Sequence, residues 1–148
     1  MTQDLQYLLD RRALDDLVAG FSDAANRFAP EDFRKLWADD ATWTIGPPVS
    51  TTFTGVDDIV SAFTKLVGDR WKFFLQMPSA AHVVDIQGDR ATGRAYTNEI
   101  AQANDGAGNY NIALYEDTMV KIGGSWHFAS RNYKVLYLDQ TPLAGEGF

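Results

Sequence analysis

The stretch YNIALYEDTMVKI (Tyr110 to Ile122), then Gly123 and Gly124, then WHFASRNYKVLYL (Trp126 to Leu138), decides the fold. Both runs are dense in β-branched and aromatic residues, which suit a pleated, half-buried surface. The glycine pair between them supplies the positive φ that a short hairpin turn needs. A third run of the same kind, RAYTNEIAQA (Arg94 to Ala103), stands just upstream and is joined through the turn sequence DGAGN (Asp105 to Asn109). Antiparallel neighbours need only short turns, whereas parallel ones need long crossovers, so the reading is an antiparallel meander. One face of such a sheet must be covered, and only the N-terminal half of the chain is available to cover it.

That half reads as helical where the period is three to four. Leu5, Leu8, Leu9, Leu14, Leu17, Val18, Phe21, Ala25 and Phe28 mark one long amphipathic helix. Pro30 suits the first turn of a second, short helix that includes Phe33, Leu36 and Trp37. ATWTI (Ala41 to Ile45) is a strand ended by Gly46, Pro47 and Pro48, since prolines cannot donate to a ladder. Gly55 precedes a third helix with Val56, Ile59, Val60, Phe63 and Leu66 as its apolar stripe, closed by Gly68. A strand starts at Trp71, is broken or bulged at Pro78, and continues from His82 to Ile86. The expected fold class is α+β: a curved, mostly antiparallel sheet with three N-terminal helices on its concave face.

A chain of 148 residues, 45% hydrophobic and 13% aromatic, is long enough for one packed core and suggests a single domain over residues 1–148. The formal charge of −7 disfavours nucleic acid and anionic membranes as partners and is neutral about a small uncharged ligand. There is no cysteine and there are two histidines, so no disulfide framework, thiolate site or metal cluster is expected. The segment Met1 to Asp10 has no apolar run of signal-peptide length, and no stretch is long and apolar enough to span a bilayer. A cytoplasmic, soluble protein is the expectation.

Four segments carry a family resemblance: DRRALDDL (Asp10 to Leu17), LWADDATWTI (Leu36 to Ile45), GDRATG (Gly88 to Gly93) and YEDTMVKIGGSWHFASRNY (Tyr115 to Tyr133). The chain resembles the SnoaL-like family of the nuclear-transport-factor-2-like superfamily, the cystatin-like cone. Its pattern is nearest to lyases of the scytalone dehydratase and hexachlorocyclohexane dehydrochlorinase types. The resemblance implies proton transfer on a hydrophobic molecule inside the cone, without a metal or redox cofactor, and homodimerisation or higher assembly through the outer sheet face. For that contact, Ile112, Leu114 and Val120 are expected. It also implies that the Asp-His dyad of those lyases is replaced, with Asn26 where the Asp stands and Gln76 near the place of the His. His82 is the alternative if Pro78 bulges the strand. By the same resemblance Asp117 stands where the isomerases keep a second carboxyl, Arg131 where the dehydrochlorinase has a cation, and Trp43 on the pocket wall. The tail from Thr141 to Phe148 is implied as a lid or a contact with a neighbouring subunit; the plain alternative is a frayed end.

Period-two alternation sorts the strands into faces. If Arg131 faces inward, so do Tyr133 and Val135, and the register that the family resemblance implies puts Asn111, Tyr115 and Asp117 of one neighbour and Thr97 and Glu99 of the next on the same face. Glu99 shares its face with Ala95, Thr97, Ala101 and Ala103; a carboxylate among small residues is either buried with a partner such as Arg131 or functional. Candidate catalytic residues are therefore Glu99, Arg131, His82, Asp117 and Tyr115, with Glu99 or His82 moving a proton and Arg131 steadying an anion. Asn26, Trp43, Trp71, Phe74, Gln76, Thr97, Asn111 and Tyr133 are candidate substrate contacts. The expected activity is that of a lyase or isomerase on an aromatic or polycyclic molecule: dehydratase, retro-aldol deformylase or double-bond isomerase. The competing expectation is a non-catalytic binding or assembly domain of the same fold.

Overall fold

In the computed structural model, which describes residues 2–79 and 82–148, the elements run α1 (Thr2–Arg27), α2 (Pro30–Arg34), β1 (Trp37–Ile45), β2 (Thr51–Thr54), α3 (Val56–Phe63), β3 (Trp71–Pro78), β4 (Val83–Gln87), β5 (Arg90–Ala103), β6 (Gly108–Ile122) and β7 (Ser125–Asp139). A π-helical turn at Thr64–Gly68 extends α3. The three meander strands lie where the sequence places them, each a little longer. Gly123 and Gly124 take φ of 58° and 82° in the tight β6–β7 turn, a backbone that favours glycine.

The sheet order is β2-β1-β7-β6-β5-β3, with β4 also pairing β5. All pairings are antiparallel except β1 with β7. Two boundaries differ from the sequence reading. Leu36 and Trp37 lie beyond the short helix, which stops at Arg34, and Trp37 opens β1 beside Phe128 of β7. Burying that indole against the sheet outweighs one more helical turn. The interrupted strand around Pro78 is two strands, each paired to a different half of β5, and the hairpin strand β2 had no alternating pattern to announce it.

The core fills the concave side. Leu14, Phe33, Phe63, Phe128 and Ile59 are fully enclosed between α1, α2, α3 and the inner faces of β1, β6 and β7. Phe33 stacks on Phe63 with ring centres 4.0 Å apart. The first turns of α1 depart from the expected stripe: Leu5, Leu8 and Leu9 are exposed. Asp10 is buried instead, held by Lys121 Nζ at 2.7 Å and by the Trp126 indole N–H at 2.9 Å. Burial pushes its carboxyl up, and these donors, with Gln6, more than offset that, leaving it below its usual range. The tail returns over the strand ends: Thr141 lies against Gly108 and Gly147 against the Phe73 ring, close contacts that side chains at either glycine would obstruct. Among the described residues no helix is long and apolar enough to cross a membrane.

Candidate active site

Strand register assembles the site row by row on the concave face. Gln76 of β3 pairs with Glu99 of β5, Glu99 with Asn111 of β6, and Asn111 with Leu138 of β7. Four residues along β6 lies the row Ala95, Tyr115, Tyr133 and Ile45, and beyond it Gly93, Asp117, Arg131 and Trp43. Between the Asn111 and Tyr115 rows lie Thr97, Ala113 and Val135, of which Thr97 and Ala113 are buried. Over this face lies a hollow bordered by Phe21 and Ala25 of α1 and Phe63 of α3 as well as by the strands.

The hollow is a cavity of about 140 Å³ walled mainly by Phe21, Trp43, Ile45, Phe63, Leu66, Trp71, Phe74 and Val135. Glu99, Asn109, Asn111, Gln76, Tyr115 and Tyr133 supply its polar part. Glu99 is 9% exposed, and no cation neutralises it among the described residues. Its Oε1 accepts from the Asn111 amide at 3.0 Å and the Asn109 amide at 3.1 Å, and its Oε2 from the Gln76 amide at 3.2 Å. Tyr133 donates its proton to Asn111 Oδ1 at 2.7 Å and sits 3.4 Å from Glu99 Oε2. Burial raises the Glu99 carboxyl above its ordinary range, and the amide donors pull it back only in part. Tyr115 accepts a hydrogen bond from Gln76 at 3.4 Å, and no described residue accepts the Tyr115 proton. Burial also raises both tyrosine hydroxyls, so each stays protonated and each can donate.

Gln76 is fixed from behind. Its amide oxygen accepts from Ser22 at 2.8 Å, which orients its N–H donors toward Glu99 and Tyr115. Asn26 clamps its backbone, donating to the Gln76 carbonyl at 2.9 Å and accepting from the Gln76 N–H at 2.7 Å. The two positions that the family pattern gives to a dyad therefore do touch, as neutral amides. Neither can act as a general base.

Other candidates take supporting places. Arg131, 2% exposed, donates through Nε and Nη2 to Asp117 at 2.7 and 3.0 Å, and so is the partner of Asp117 and not of Glu99. Its guanidinium carbon lies 3.7 Å from the Tyr115 ring centre, 4.3 Å from Phe128 and 4.4 Å from Phe21. Sandwiched in this way, Arg131 and Asp117 form a floor under the cavity and do not line it. Thr97 donates to the Met77 carbonyl at 3.1 Å, and Asn26 is held on the outside by Gln76, so neither lines the cavity. His82 faces Asp15, 3.1 Å from Nδ1, and burial lowers it from its usual range against the pull of that carboxylate. It too lies away from the cavity wall. The remaining candidates, Trp43, Trp71, Phe74, Gln76, Asn111, Tyr133, Tyr115 and Glu99, all border the hollow.

The sequence reading missed Asn109, Leu138, Gln140 and Arg70, which also border it. Asn109 was absorbed into a turn motif; its spacing of two from Asn111 was the available signal.

A family model described as a SnoaL-like domain matches residues 6–132. The chain belongs to the SnoaL-like family. Solved structures that this family member resembles include the dehydrochlorinase LinA (23% identity, TM-score 0.87, 98% of this chain and 97% of that one). Another is the type 3 hexachlorocyclohexane dehydrochlorinase LinA from Novosphingobium barchaimii LL02 (24%, 0.85, 98% and 97%). A third is a scytalone dehydratase candidate from Novosphingobium aromaticivorans DSM 12444 (19%, 0.82, 99% and 100%). At these identities the likeness is one of fold. No curated protein sequence matches this SnoaL-like chain.

Proposed function

We propose that this SnoaL-like protein is a lyase or isomerase that uses its own side chains for proton transfer, with Glu99 as the base and Tyr115 as the hydrogen-bond donor to the developing anion. The observation that carries this reading is a lone carboxyl, raised in proton affinity by burial, facing an apolar hollow next to an unspent hydroxyl proton. The Glu99 carboxylate takes a C–H proton. The electron pair left behind forms a double bond, which either expels a leaving group from the adjacent carbon or shifts as the proton returns elsewhere. Tyr115 donates to the oxygen or leaving group that gathers charge, and Arg131 beneath its ring strengthens that donor. A hollow of about 140 Å³ matches one six-membered ring, since an engineered cavity of about 150 Å³ holds benzene. This narrows an aromatic or polycyclic substrate to one with a single ring at the base.

A substrate-blind test is hydrogen exchange. Incubation in heavy water with a panel of ring ketones, phenols and halogenated cyclohexanes should give Glu99-dependent C–H to C–D exchange in at least one compound, read by NMR. Exchange in none, while ring compounds bind, would favour the second reading, a binding domain, for which the amides at Asn26 and Gln76 speak.

Self-association through the convex sheet face belongs to the same reading. Tyr96, Ile112 and Tyr137 are 48%, 36% and 53% exposed there, and Tyr110 and Tyr137 stack edge to face beside Ile112. Ile112→Glu would place a charge in the middle of that contact. Light scattering should then show monomer for the variant and a dimer or higher species for the parent; a monomeric parent contradicts it.

A further inference from the structure

At the mouth of the hollow the wall changes character. Among the described residues Arg70 is the one cationic side chain bordering the cavity, and none of them forms an ion pair with it. Its guanidinium carbon lies 4.7 Å from the centre of the Trp71 ring, which holds it at the rim. A second recess of about 270 Å³ adjoins there and shares Arg70, Trp71, Asn109 and Gln140 with the first, adding Asn104 and Asp105. Asp105 is the opposing charge in this recess, and its Oδ1 accepts from the Ala107 N–H at 3.0 Å. Further in, Glu99 is the other charged side chain that borders the first cavity among the described residues, and Asn109, shared by both recesses, donates to it at 3.1 Å.

We infer that the ligand carries an anionic group, a carboxylate or its equivalent, that sits at Arg70 while its ring occupies the hollow. The dipolar arrangement orients such a molecule: a carboxylate heading inward meets Glu99, and one heading outward meets a free guanidinium with planar donors suited to it. Register sets the length. Trp71 pairs with Ala103 and Gln76 with Glu99, so the strand positions at the rim and at Glu99 are four residues apart on β5, roughly 13 Å at about 3.3 Å per residue. A ring plus a short chain ending in an acid spans that distance once the reach of the arginine is subtracted. The inference rests on the hollow being a ligand site, and not on Glu99 doing chemistry in it.

The test is binding of 4-phenylbutyrate and of its neutral amide, followed through the fluorescence of Trp43 and Trp71 at low salt and pH 8. The acid should bind the native protein about fivefold to tenfold more tightly than the amide, the range of a charge-assisted hydrogen bond at a partly exposed site. Arg70→Gln should remove that preference and leave amide binding unchanged. Equal affinities in the native protein, a preference that survives Arg70→Gln, or no binding of either compound at millimolar concentration would each overturn the inference. Glu99→Gln separates the two ideas: acid preference retained without any Glu99-dependent exchange would sink the catalytic reading alone.

Discussion

Replacing Glu99 by Gln is expected to lower proton-transfer turnover by about two to four orders of magnitude, the usual contribution of a positioned general base. Ring-compound affinity should stay near that of the native protein, because the substitution keeps the shape of the side chain. The same variant should be more stable at alkaline pH. In the fold the Glu99 carboxyl holds its proton more tightly than in the unfolded chain. Between the ordinary glutamate value, about 4.3, and the raised folded value the native state binds more protons, so stability falls as pH climbs through that window and then levels off. Glu99→Gln mimics the protonated form and escapes the fall. Melting curves of the two proteins should coincide below about pH 4, under the unfolded glutamate value, and at pH 8 the variant should melt higher by about 3 °C for each 1 kcal/mol recovered. An activity that survives the substitution, or a variant that melts lower at pH 8, contradicts the assignment.

The second large effect is on stability. Arg131→Met leaves Asp117 buried without its partner, and a buried charge stripped in this way costs about 3–5 kcal/mol. Both groups are nine-tenths or more buried, so solvent screening does little to soften the loss. The melting temperature should drop by about 10 °C. Pairing Arg131→Met with Asp117→Leu should recover most of it, because the three rings around the guanidinium present an apolar cage that a methionine can fill. Turnover of the double variant should fall modestly, through the weakened Tyr115 donor, and not by the factor expected of Glu99. Urea or thermal unfolding of the three proteins decides this: a single variant within about 1 kcal/mol of the parent would show the pair to be dispensable.

The meander, the inward face and the polar composition of the site were legible because alternation with period two is a local property. Once Arg131 is set inward, Tyr133 follows by parity, the register implied by the family resemblance adds Tyr115, Asp117, Asn111 and Glu99, and all are buried. Partner choice was not legible. Whether Arg131 meets Asp117 or Glu99 depends on which strands are adjacent and in which register, and the register that pairs Asp117 with Arg131 pairs Glu99 with Asn111. Nor did the sequence reveal that Asn26 and Thr97 use their polar atoms on the backbone of β3. The exposed leucines of α1 show the same limit: helical periodicity gives a stripe, while the tertiary packing determines how much of the stripe is covered.

The central claim is that one carboxyl, Glu99, sits desolvated in the wall of an apolar hollow and binds a proton above the range of ordinary glutamates. Carbon NMR of the glutamate side-chain carboxyls, with Glu99 assigned by its absence in Glu99→Gln, measures this directly. The account predicts a Glu99 midpoint well above the roughly 4.3 of an exposed glutamate; a midpoint at or below that value would contradict it.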